Sequence, residues 1–164
     1  MRLPLFLPVL FLFFAFLLVG CQSNRRDYTP HMARFFIETS PAFPTSRSIP
    51  VILPFSQTEL NVDPTAVLIE TDITWVEPFD AEFGPAVAFY LSREAGRDLY
   101  RISASNPGKR MVVTINEVVL GMITIQRPIE DGVISMYLEV RDEDLPELVI
   151  NLQKTAEEFQ RRMR

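Results

Sequence analysis

The sequence predicts an α+β fold, a mostly antiparallel sheet with two amphipathic helices packed on one face in a two-layer sandwich. Three observations point there. Val133–Val140 alternates at the period of a half-buried strand, and Met111, Val113 and Ile115 share one face of Arg110–Ile115. Ala95, Leu99 and Ile102, and later Leu145, Leu148, Val149, Leu152, Ala156 and Phe159, recur at helical spacing. The connections between the later strands are short turn signals, which join neighbouring strands antiparallel.

The elements follow in order. Arg34–Thr39 reads as a strand with Phe35 and Ile37 on one side and Phe36 on the other. Ser40-Pro41-Ala42-Phe43-Pro44 breaks it. Ile49–Phe55 reads as a short strand that Pro50 and Pro54 confine to a sheet edge or a loop-like path. Ile73–Glu77 is a further strand, and Phe79–Pro85 a turn-rich connection. Ala86–Leu91 continues the sheet, with Val87, Phe89 and Leu91 on one face. Ser92 is a good N-cap with Glu94 in the first turn, and Asn106-Pro107-Gly108 stops the helix. Asn116-Glu117 is expected to turn the chain from Arg110–Ile115 into Val118–Gln126, although Glu is a poor stand-in for the favoured glycine. Ile129–Gly132 turns again before Val133–Val140. Asp144, with Glu147 three residues on, predicts a capping box for the last helix.

Ahead of these elements, Met1-Arg2 supplies a positive charge and Leu3–Val19 is an unbroken apolar run. Leu18-Val19-Gly20-Cys21 ends the run, and the polar Gln22-Ser23-Asn24-Arg25-Arg26 follows. The layout is that of an export leader. Its small residue before a cysteine resembles the lipobox of bacterial lipoproteins. On that resemblance residues 1–20 are a signal peptide cleaved between Gly20 and Cys21, and Cys21 carries covalent lipid. Residues 21–32, which include Pro30 and His31, read as a lipidated tether, and 33–164 as the domain. A retained transmembrane anchor is one competing reading; the run falls just short of the ~20 residues of a spanning helix, and Pro4 and Pro8 weaken its helicity. Plain secretion is the other. The expected location is extracytoplasmic, lipid-anchored to a bacterial membrane and periplasm-facing. Gln22 leans toward the outer membrane by analogy with enterobacterial sorting.

The chain has 164 residues and a net charge of −5. Arg2 is the only charged side chain in the leader, so the remainder is slightly more acidic. An acidic domain argues against nucleic acid, which requires basic clusters to neutralise phosphate. The densest basic groups are Arg25-Arg26, beside the expected anchor, and Arg161, Arg162 and Arg164, which suit a helix C-terminus. Cys21 is the sole cysteine, so no intramolecular disulfide forms and the domain is held by its core.

Gly84-Pro85-Ala86-Val87-Ala88-Phe89-Tyr90-Leu91 leads into a helix that ends at Asn106-Pro107-Gly108-Lys109-Arg110. Met111–Ile115, Val119-Leu120-Gly121 and Pro128-Ile129-Glu130-Asp131-Gly132 follow. This pattern resembles the head subdomain of the first periplasmic domain of SecD, the accessory subunit of bacterial Sec-dependent protein export. Leu68-Ile69-Glu70-Thr71-Asp72-Ile73 is similar to its lead-in, and the likeness covers 67–160. Asn116-Glu117 stands where that family usually has Asp-Gly, and Ile123 replaces a usual proline. SecD also has membrane-embedded charged residues that couple proton flow to export. No apolar run after residue 20 is long enough to carry them, so the resemblance implies the head module without the motor.

Residue types for catalysis are sparse. His31, the sole histidine, falls in the tether, and a histidine triad or zinc site needs partners fixed by a packed scaffold. Asp142, Glu143 and Asp144 read as helix N-terminal charges, and Asp80 with Glu82 as turn residues. The glycines are isolated, so no phosphate loop is expected. The expectation is no enzyme, no catalytic residue, no metal and no cofactor beyond the lipid on Cys21. Trp75, Phe79 and Phe83 are the candidate partner-binding residues, the bland alternative being that Phe79 and Phe83 pack beneath their connection. The Val118–Gln126 and Ile49–Phe55 edges are open to strand addition. The sequence thus predicts a membrane-anchored protein-interaction module contacting exported polypeptides or envelope proteins. A structural subunit of an envelope complex, or an envelope hydrolase, is the alternative.

Overall fold

The computed structural model describes residues 28–39 and 48–163. The leader, Gly20, Cys21, most of the tether and the Ser40–Pro44 breaker lie outside the described residues. The elements run β1 (Ala33–Ile37), β2 (Ile49–Ile52), β3 (Glu59–Val62), a 3-10 turn (Glu70–Asp72), β4 (Ile73–Ala81), β5 (Gly84–Leu91), α1 (Arg93–Ser105), β6 (Arg110–Ile115), β7 (Val118–Thr124), β8 (Val133–Met136) and α2 (Leu145–Arg162). The class is α+β, and every strand pair is antiparallel.

The strands form three small sheets, ordered β1-β6-β7, β2-β3 and β4-β5-β8. Isolated bridges stitch them together, Glu38 to Val62 and Gly121 to Leu138, and a third ties Phe35 to Leu68 in the connection after β3. The long strand expected over Val133–Val140 is divided for this reason. Its first half pairs with β5, and Leu138 then crosses to β7. Gly121 permits the crossing. A Cβ there would lie 2.7 Å from the Tyr137 carbonyl oxygen, closer than any side chain tolerates.

Both helices face one apolar core. It joins Phe35 and Val113 of β1-β6-β7, Val87 and Phe89 of β5, Ala95 and Leu99 of α1, and Leu148, Val149 and Leu152 of α2. Phe35 and Phe89 meet edge to face at its centre, with ring centroids 5.3 Å apart and planes at 87°. A smaller core lies on the opposite face of β1-β6-β7, where the β2-β3 hairpin lays Leu53, Leu60 and Val62 against Val112. Glu139, just past β8, fixes the tip of that hairpin by accepting hydrogen bonds from the Phe55 and Ser56 backbone amides (2.7 and 3.0 Å). Burial opposes charge on Glu139, but the bonds from Ser56 and Phe55 hold its carboxyl below the usual range.

Local signals place the termini of α1. Ser92 Oγ accepts from the Ala95 amide (3.2 Å), and Asn106 closes the helix with Gly108 at φ 79° beyond it. The expected turn at Asn116-Glu117 also forms, with φ of 49° and 69°. Two left-handed residues in succession suit the twist of a hairpin. Asn116 tolerates the conformation and uses its amide to hold the incoming chain, accepting from Met32 N (2.9 Å) and donating to the Pro30 carbonyl (3.2 Å).

The capping box expected at α2 is not formed. Asp144 adopts helical φ and ψ of −89° and −21°, and its side chain does not cap the helix. Arg141 engages the carboxylate instead, through Nε and Nη2 at 2.7 and 3.1 Å, and also pairs with Glu143 at 2.8 Å. The bidentate ion pair with Arg141 takes the place of the cap.

Candidate functional site

Three expected site residues, Trp75, Phe79 and Phe83, come from one hairpin. β4 and β5 pair in a ladder that runs past Glu77 to Ala81 opposite Gly84. The turn-rich connection expected over Phe79–Pro85 is therefore mostly strand, and Glu82 and Phe83 alone make the turn. Pro78 is accommodated because β4 is the outer strand of its sheet, where a missing amide donor costs no ladder bond.

Alternation along the strands separates two faces. Val76, Val87, Phe89, Ile134 and Met136 point into the main core. Trp75, Glu77 and Phe79 take the other face, opposite Tyr90, Ala88 and Ala86 on β5. Ala88 in turn pairs with Ser135, two residues before Tyr137. Ala86 and Ala88 are buried, yet neither belongs to either apolar core. The result is a shallow trough between rings, with Trp75 and Phe79 on one side, Tyr137 on the other, and the already covered Ala86 and Ala88 between them. Trp75, Phe79 and Tyr137 are exposed, and Phe83, 83% exposed, stands at the open end. The Phe83 amide donates to the Tyr137 hydroxyl (3.2 Å), and their rings are tilted at 6.5 Å. Exposed aromatics held on a rigid sheet are the residue type that dominates binding surfaces.

The trough is acidic. Tyr90 donates its hydroxyl to Glu77, which with burial raises the phenol above its ordinary value; Asp131 adds to the effect. Asp80 and Glu82 are exposed at the hairpin tip. Neither forms an ion pair among the described residues.

The outer edge of β4 is guarded. Gln153 of α2 donates to the Val76 carbonyl (2.7 Å), and Gln160, two turns on, donates to those of Thr71 and Ile73 (3.2 Å each). These side chains occupy acceptors that an added strand would use. The edge of β7 is partly occupied by Leu138 and Glu139. Among the described residues β2 pairs with β3 alone. A second concavity of about 410 Å³ lies between the β2-β3 hairpin and the outer face of β1-β6-β7, lined by Phe36, Val51, Val112 and Val119.

The other residues singled out from the sequence have structural partners. The His31 amide donates to Thr155 Oγ1 on α2 (3.0 Å), and Tyr28 bonds Glu158, so the end of the tether is docked on the helix. Asp142, Glu143 and Asp144 flank Arg141 at the start of α2 rather than converging on a cleft. No group of histidine, cysteine or carboxylate side chains suited to a metal occurs among the described residues. Nor is any described helix long and apolar enough to cross a membrane. The remaining carboxylates with altered acidity are structural: Arg110 holds Glu38, and Arg34 holds Glu70, below the usual range.

No protein-family model matches the chain, and no curated protein does. Solved structures do match. One, of the membrane component SecDF that enhances protein export, superposes with a TM-score of 0.57 at 14% identity, over 77% of this chain and 63% of that one. Another, of SecDF in its Super-membrane-facing form, gives a TM-score of 0.57 at 14% identity, over 76% of this chain and 18% of that one. The fold is SecDF-like. The chain thus spans less than two thirds of either SecDF chain, and at this identity the likeness concerns architecture. Within that SecDF-like fold, Ala86, Ala88 and Tyr137 are the trough residues that sequence reading did not single out as a site. Their side is decided by how β5 registers with β4 and β8.

Proposed function

We propose that the protein is a lipid-anchored, extracytoplasmic and non-catalytic interaction module that holds polypeptide partners, exported chains or envelope proteins, against the outer face of β4-β5-β8. The observation that carries this reading is the row of exposed aromatics on a sheet face that neither helix covers. The likeness of the fold to a component that enhances protein export supports the choice of polypeptide as partner. The leader ending at Gly20-Cys21 supports the membrane placement. Two or three acyl chains on Cys21, at about 0.8 kcal/mol per buried methylene, would make the anchor effectively permanent.

Photocrosslinking tests the binding face. A photoreactive residue at Phe79 or Phe83 is expected to capture polypeptides in the native envelope, whereas one at the exposed Glu157 on α2 captures none. Failure to recover protein from either aromatic position would remove the basis of the proposal. Membrane placement is tested separately. Cys21→Ala is expected to release the domain from membranes or leave an unprocessed precursor, and unchanged membrane association at mature size would refute the lipid anchor.

A further inference from the structure

We infer that the trough on β4-β5-β8 selects cationic, apolar polypeptide segments, a specificity that rests on the binding face proposed above. The first observation is charge. The stretches 73–91 and 128–140, which contain all three strands, hold no lysine or arginine. They do hold Glu77, Asp80 and Glu82 on the hairpin, and Glu130 and Asp131 before β8. Glu77 stands on the trough face between Trp75 and Phe79, while Glu82 lies in the turn beside Phe83 and Asp80, on the opposite face of β4, lies at the same hairpin tip, both without ion pairs among the described residues.

The second observation is the aromatic wall. Ring faces attract ammonium and guanidinium groups through their quadrupole, and the attraction strengthens as the cation loses water. Carboxylates and aromatic rings on one surface therefore favour the same partner charge. The apolar requirement comes from the rings. Trp75, Phe79, Phe83 and Tyr137 expose apolar area above Ala86 and Ala88, which are already covered, and the outer strands lie about 10 Å apart across β5, the width of one polypeptide segment.

The same features disfavour other occupants. A second copy joined through a two-fold axis would press one acidic face against an identical one, with no lysine or arginine in 73–91 or 128–140 to pair with its carboxylates. Phospholipid headgroups and nucleic acids would meet carboxylates with no base in the trough to offset them.

The test uses full-length protein in non-ionic detergent and three fluorescent peptides. These share one set of leucines and alanines and differ only in carrying lysine, glutamine or glutamate at the polar positions. Fluorescence anisotropy is expected to rank binding lysine, then glutamine, then glutamate, with the lysine peptide weakening as salt is raised. The double variant Asp80→Asn, Glu82→Gln is expected to weaken the lysine peptide by about threefold to tenfold and leave the glutamine peptide unchanged. Equal binding of the lysine and glutamate peptides, or no effect of the double variant, overturns charge selection. Phe83→Ser separates that failure from failure of the face itself. It is expected to weaken the lysine and glutamine peptides alike, and peptide binding untouched by it would mean that the binding face lies elsewhere. Sedimentation showing a dimer that Phe83→Ser dissociates would overturn the inference in favour of self-association.

Discussion

Phe89→Ala is expected to lower the unfolding free energy by about 3–5 kcal/mol, a large share of the ~5–15 kcal/mol that holds a domain of this size together. Phe89 and Phe35 are both fully buried, and they come from different sheets. Few backbone hydrogen bonds link β1-β6-β7 to β4-β5-β8, so the junction depends on side chains, with this edge-to-face pair at its centre. Truncation removes the ring's apolar area and its edge-to-face contact, and it leaves a cavity that two hydrogen-bonded sheets cannot readily close. Urea unfolding followed by circular dichroism reads the change as a lower midpoint at an unchanged slope. Phe83→Ala is the internal control. Its ring is 83% exposed, and the change is expected to stay within about 0.5 kcal/mol. A cost below about 1 kcal/mol for Phe89→Ala would mean that the two sheets are held together by something other than this contact.

The parts of the fold that sequence made legible are those decided within a few residues. Ser92 caps α1 because its hydroxyl needs an amide only three residues away. Arg110–Ile115 and Val118–Thr124 pair because two apolar runs are joined by the tight Asn116-Glu117 turn. What escaped reading depended on distant partners. Glu59–Val62 offers two apolar residues in four, too little to mark a strand until β2 lies beside it. Phe79–Pro85 reads as a turn-rich connection, yet its residues up to Ala81 and from Gly84 on pair in a ladder. Asp144 obeyed a nearby arginine rather than the helix terminus. The same division applies to the trough. Its aromatic residue types were visible in Trp75, Phe79 and Phe83, but their solvent exposure and their company with Tyr137 follow from β8 returning to pair with β5 after more than forty residues of intervening chain.

Leu148→Asp is expected to abolish cooperative folding of the C-terminal half or lower stability by at least ~3–5 kcal/mol, the cost of an uncompensated charge in an apolar interface. Leu148 is buried beside Val149 and Leu152 in the core that α2 shares with β4 and β5. None of the three bonds of the guarded edge survives if the helix lifts, because Gln153 and Gln160 reach the carbonyls of Thr71, Ile73 and Val76 only while α2 is docked. Undocking would therefore expose apolar core and an open strand edge together, and aggregation is the expected companion of lost stability. Limited proteolysis within α2, a fallen thermal midpoint and sedimentation of large species are the expected readings. Leu148→Met, which keeps the volume and the apolar surface, should cost less than about 1.5 kcal/mol and preserve solubility. An aspartate variant as heat-stable and soluble as the parent would mean that α2 does not cover β4, and the guarded edge would then be open to strand addition by a client chain.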